Sequence, residues 1–97
     1  MELVKHELET RRRNRERIYY DILRSIISQE KRGYARITRI QNETNLPSDR
    51  LRMHLHEMEE LRLLKYNSGL RSTAKGRAFA SQYRRILAIL KQFGLAD

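Results

Sequence analysis

The apolar positions of this chain change period several times, and each change marks an element. From Thr73 onward Phe79, Tyr83, Ile86, Leu90 and Phe93 recur at spacings of 4, 3, 4 and 3. That is the seam of a helix that meets another helix. Thr73 is its predicted cap and Gly94 its predicted stop. The nineteen residues from Thr73 to Lys91 would span about 28 Å. Near the other end, Ile18, Tyr19, Ile22, Leu23, Ile26 and Ile27 form one broad apolar face, which predicts a helix over roughly Arg12 to Ser28.

Between these two helices the pattern is shorter and more broken. Gln29 to Gly33 interrupts it, and Tyr34 to Ile37 reads as a very short strand. Thr38-Arg39-Ile40-Gln41 has the capping-box form, a hydroxyl at the cap and an amide three residues on. The helix it opens ends at Asn45-Leu46-Pro47. Ser48 is the expected cap of a third helix running to about Leu61, with Asp49 suited to its first turn. Leu51, Leu55, Met58 and Leu61 form its expected buried stripe, leaving Arg50, Arg52, Met53, His56 and Glu57 partly or wholly outside. Leu63 to Tyr66 reads as a strand, Asn67-Ser68-Gly69 as a turn that tolerates positive φ, and Leu70 to Ser72 as the returning strand.

The order is helix, short strand, helix, helix, hairpin, long helix. This predicts a mostly α fold with a small β-hairpin, a winged helix-turn-helix followed by a long C-terminal dimerisation helix. The divisions are an N-terminal arm at 1–10, the winged module at 11–72 and the coiled-coil helix at 73–94. The arm holds Leu3, Val4 and Leu8 among charges and suits either a first helical turn or a frayed end. Ala78 and Phe79 are assigned to closing the chain's own core. Tyr83, Ile86, Leu87, Leu90 and Phe93 are assigned to a second copy. Arg84, Arg85 and Lys91 put one sign of charge on this helix, so equal positions of a parallel pair would repel and an antiparallel homodimer is preferred.

Charge narrows the class of partner. The chain carries 21 Lys and Arg against 12 Asp and Glu, a formal charge of +9, which favours a polyanion. Residues 11–17 hold five arginines and one glutamate, and residues 61–91 hold eight basic residues and no acid. There is no cysteine, which removes disulfides and thiolate zinc sites. No apolar run approaches the roughly 18 residues of a membrane span, and the opening MELVKHELE does not resemble a signal peptide. A cytoplasmic location is expected.

No enzyme constellation emerges. His54 and His56 stand two apart on a helix and diverge, so neither a metal nor any other cofactor is expected. The four glycines build no phosphate loop. Glu57, Glu59 and Glu60 read as a solvated surface, with salt bridges to Arg24 or Arg62 as an option. No small-molecule ligand is expected.

The stretch from ITRIQNETNLPSDR through STAKGRAFASQY, residues 37–83, resembles the winged-helix core of small basic chromatin-type DNA-binding proteins of archaea, described from Sulfolobus, and the resemblance covers about residues 14–92. Within that resemblance Asn45-Leu46 matches the turn, Leu51, Leu55 and Met58 the buried side of the recognition helix, and Leu63-Leu64 the first wing strand. Thr73-Ala74-Lys75-Gly76 matches the opening of the last helix, with Phe79 and Tyr83 in register. The resemblance implies an antiparallel coiled-coil homodimer that binds duplex DNA. Ser72 stands where that pattern has leucine, Pro47 stands early in the recognition segment, and the arm to Glu9 has no counterpart.

The residues themselves supply a nucleic-acid reading. The helix 48–61 is the candidate for the major groove, which is about 12 Å wide. Ser48, Asp49, Arg52 and His56 repeat on its outer side. Arg52 suits guanine or a phosphate, Ser48 a phosphate, and Asp49 a cap or cytosine N4. Arg39 is placed to meet a phosphate as the preceding helix crosses the backbone. Lys65, Asn67 and Arg71 belong to the wing. Arg11, Arg12, Arg13 and Arg15 open the first helix, where cations oppose the helix dipole and an anion would offset the cost. The expected role is transcription regulator or architectural chromatin factor. The alternatives are a winged-helix protein–protein adaptor and an RNA binder, for which Tyr34 and Tyr66 are the only candidate stacking aromatics.

Overall fold

The computed structural model describes residues 13–96; the arm at 1–10, Arg11 and Arg12 lie outside them. Helix α1 (Arg15–Glu30) is followed by α2 (Ile37–Thr44), α3 (Ser48–Glu60), strands β1 (Leu64–Tyr66) and β2 (Leu70–Ser72), and α4 (Ala74–Gln92). This is the predicted winged helix-turn-helix with its long C-terminal helix. The two strands pair antiparallel, Leu64 opposite Ser72, Lys65 opposite Arg71 and Tyr66 opposite Leu70. Of the short strand expected at Tyr34 to Ile37, one bridge forms, Ala35 to Leu70, and Ile37 already belongs to α2.

The core gathers one stripe from each element: Ile22, Leu23 and Ile26 of α1, Ile40 of α2, Leu51, Leu55 and Met58 of α3, and Leu64 and Leu70 of the hairpin. Each large side chain removed from water contributes roughly 1.5–3 kcal/mol. Leu46, in the turn between α2 and α3, is also buried. Asn45 takes the left-handed conformation that ends α2, a role to which its short polar side chain suits it.

Several helix starts differ from those expected. Helix α1 starts at Arg15, and the Asn14 side chain accepts from the Arg17 N–H. Thr38 does not cap α2. The chain enters that helix two residues earlier, through Arg36, whose N–H is taken by the buried Gln29 side chain at 2.7 Å. Nor does Ser48 cap α3: Pro47 holds the extended cap conformation and its carbonyl accepts the Leu51 N–H, so Ser48 is the first helical residue. Leu61 is exposed, because the chain reverses at Arg62, which has positive φ, and sends Leu63 inward instead.

The opening of α4 follows expectation and shows why. Thr73 accepts from the Gly76 N–H at 2.9 Å and donates to the Arg62 carbonyl at 2.6 Å. The Lys75 ammonium donates to the Leu61 carbonyl at 2.8 Å. Gly76 lies against the backbone at Leu63, where a Cβ would fall 2.0 Å from the carbonyl oxygen. Only glycine fits there. Beyond it Ala80 is buried, while Phe79, Tyr83 and Leu87 pack partly against the core. Ala78, expected inside, is exposed, and Ala80 takes that place. No described helix is long and apolar enough to cross a membrane.

Candidate nucleic-acid interface

Helix α3 presents a buried and an open side. Leu51, His54, Leu55 and Met58 face inward, as spacings of three and four require. Ser48, Asp49, Arg52 and His56 are all exposed. The Asp49 carboxylate accepts the Arg50 N–H at 3.0 Å. His56 pairs with Glu60 at 3.1 Å, both largely in solvent. Arg52 and Glu59 both act on Tyr66 of the wing. Burial, then Glu59, pushes the Tyr66 phenol above its ordinary value, and Arg52 opposes them. Tyr66 lies on β1, which packs against α3, so the wing stands beside that helix.

The orientation of α3 is held from α1. Arg15 Nε donates to the Tyr19 hydroxyl at 2.8 Å, and that hydroxyl donates to Glu57 at 2.9 Å. Glu57 also meets His54 Nδ1 at 3.0 Å. That bond to a carboxylate places the imidazole proton on Nδ1 and leaves the buried Nε2 without a partner. The His54 bond, then the Tyr19 phenol, hold the Glu57 carboxyl below its usual range. The signal for His54 was in the sequence, since it lies three residues after Leu51 on the buried stripe. Glu57, expected partly or wholly outside, is partly covered by this network.

The arginines at the start of the chain divide. Arg13 donates to the Thr44 carbonyl at 2.7 Å and pairs with Asp21 at 3.3 Å. It closes the C-terminus of α2, where a cation is favourable, rather than opening α1 against the dipole. Arg15 is exposed but stacked over the Tyr19 ring at 5.2 Å. Arg17 is tied to Asp21 at 3.1 Å. Of the glutamates of α3, Glu57 and Glu60 take histidines of the same helix as partners, and none pairs with Arg24 or Arg62.

The wing carries the clearest electrostatic anomaly. Lys65 and Arg71 are directly opposed across the hairpin, and like charges so placed destabilise a ladder. Arg71 finds partial relief over the Tyr34 ring at 5.5 Å. Asn67 is exposed in the turn, its N–H bonded to the Gly69 carbonyl at 2.9 Å. Gly69 has φ +121 and touches Tyr34, where a Cβ would fall 2.7 Å from the ring.

Arg39 is exposed and pairs with Glu43 at 3.2 Å. Beside it stand Lys31, Arg32 and Arg36, lining one groove with it. Sequence reasoning treated 29–33 only as a helix break. The signal available was three cations within Lys31 to Arg36, interleaved with Tyr34. Among the described residues no cluster of three or more His, Asp or Glu side chains is arranged to hold a metal.

A family model described as winged helix-turn-helix matches residues 12–91. No curated protein matches the chain, and no solved structure does.

Proposed function

The chain belongs to the winged helix-turn-helix family, and from that premise we propose that it binds duplex DNA as a homodimer. Helix α3 enters the major groove with Arg52 directed at base edges, and Ser48, Asp49 and His56 flank it. Arg39 meets a phosphate beside the groove, and Lys65, Asn67 and Arg71 bring the wing to the adjacent backbone. Arg11, Arg12 and Arg15 add cations near the start of α1. The observation that carries this reading is the opposition of Lys65 and Arg71 on a wing that stands beside α3. A phosphate between them turns a destabilising pair into a binding one.

The pair forms through the C-terminal half of α4, where Ile86, Leu90 and Phe93 meet the same residues of a second chain running antiparallel. Symmetry then sets two copies of α3 about 34 Å apart, or a multiple of that distance, for successive grooves. The resemblance to small basic archaeal chromatin-type proteins supports a regulatory or architectural role in the cytoplasm or nucleoid.

Fluorescence anisotropy on random duplex DNA at several salt concentrations tests the reading. With about six phosphates contacted per dimer, log K falls against log salt with a slope near −5. A slope near zero, or tighter binding to single strands or duplex RNA, contradicts it.

A further inference from the structure

A strongly positive surface among the described residues lies away from α3. A groove of about 920 Å³ runs between the end of α1, the following turn and α2. Lys31, Arg32, Arg36 and Arg39 line it, and no carboxylate does. Glu30, the acid next to this turn, faces away, accepting the Ser72 N–H and hydroxyl. The exposed side of α3, by contrast, carries Asp49, Glu59 and Glu60 together with Arg50 and Arg52.

The groove is held rigid from beneath. Buried Gln29 takes the Arg36 N–H at 2.7 Å and donates to Ser25 at 3.0 Å, and Ser25 donates to Glu43 at 3.2 Å. Glu43 in turn pairs with Arg39. Ala35 is pinned to Leu70 of the wing. Tyr34, about half-exposed, lies against Gly69 with the Arg71 guanidinium over its ring. The groove is thus continuous with the wing tip. Cations fixed close together repel one another, and an anionic chain laid along them relieves that repulsion without an ordering cost.

We propose that the Lys31–Arg36 turn and the wing tip form one track for the sugar–phosphate backbone of duplex DNA, and that this track supplies most of the binding affinity. Helix α3, poor in cations, supplies contacts to bases. The inference rests on the DNA-binding reading and adds where the affinity resides.

The test compares two triple variants of equal charge loss in the full chain. One is Lys31→Gln, Arg32→Gln and Arg36→Gln. The other is Arg24→Gln, Lys75→Gln and Arg77→Gln, on exposed positions outside the turn, the wing and the pairing half of α4. Each is titrated with random duplex DNA across salt concentrations, after circular dichroism confirms native helix content. The turn variant loses about tenfold or more in affinity and more than half of the salt slope, because each lost phosphate contact removes about 0.9 from it. The control variant stays within about twofold of the parent at a moderate fixed salt concentration. Equal losses in both, or an unchanged slope in the turn variant, overturn the track while leaving DNA binding intact. A parent chain with no affinity for duplex DNA at low salt overturns both readings.

Discussion

The two halves of α4 have the same apolar period and opposite surroundings. In the first half Gly76 touches the backbone at Leu63, Ala80 is buried, and the Phe79, Tyr83 and Tyr20 rings stack in series at 5.6 and 5.3 Å. In the second half Ile86 is 48%, Ile89 54% and Phe93 73% exposed. One helix therefore finishes its own core and then continues past it with an uncovered apolar side. Large exposed apolar patches mark interaction sites in soluble proteins, and nothing else in the described chain turns back to cover this one. Periodicity identifies a helix that wants a partner surface. It does not say which turns find that surface within the chain.

The contrast can be broken most severely at Gly76. Gly76→Ala improves intrinsic helix propensity by about 1 kcal/mol, yet its methyl would collide with the Leu63 carbonyl. Overpacking of this kind dominates, and stability falls by about 3 kcal/mol, lowering Tm by about 12 °C or more. The complementary change lies in the second half. Ala88 is exposed, so Ala88→Gly costs only the propensity difference, about 1 kcal/mol. Thermal melts of the two variants by circular dichroism check both values. A Gly76→Ala protein as stable as its parent would show that α4 does not sit against Leu63.

A smaller effect marks where the packed half ends. Burial against the core pushes the Tyr83 phenol above its ordinary value, with Arg17 opposing and Glu16 and Asp21 reinforcing the shift. A phenol whose folded pKa is raised supports the fold fully below its unfolded pKa near 10. That support is lost as pH rises through the folded value. Tyr83→Phe therefore removes part of the stability loss seen on raising pH past about 10, leaving the neutral-pH stability little changed. Denaturant midpoints measured across that range check it, and an identical alkaline decline in both proteins would place Tyr83 in solvent.

What the sequence made legible followed from period and from local chemistry. The four helices, the hairpin, Thr73 as a cap and the outward face of α3 all rest on residues within a few positions of one another. What it concealed depends on distant contacts. Thr38 lost its capping role because Gln29, nine residues earlier in the chain, holds Arg36 at the start of α2. Arg13 left the set of candidate DNA contacts because Thr44 and Asp21 claim it. Tyr83 and Leu87, expected to face a partner, are half-buried on their own core, while Ile89, outside the set assigned to a partner, is open. The cationic turn at Lys31 to Arg36 was visible as composition, but its continuity with the wing appears only once Tyr34 meets Gly69. Gly76 was visible as a motif, and its reason lay in the backbone of Leu63, thirteen residues earlier in the chain.

The pairing of two chains through the open half of α4 is measured most directly by sedimentation equilibrium in the high micromolar range. The account predicts a mass of twice the 11.7 kDa chain for the parent. It predicts a single chain, with an undiminished helical spectrum, for the double variant Ile89→Glu and Phe93→Glu. A parent that sediments as one chain at that concentration, or a variant that stays paired, would contradict it.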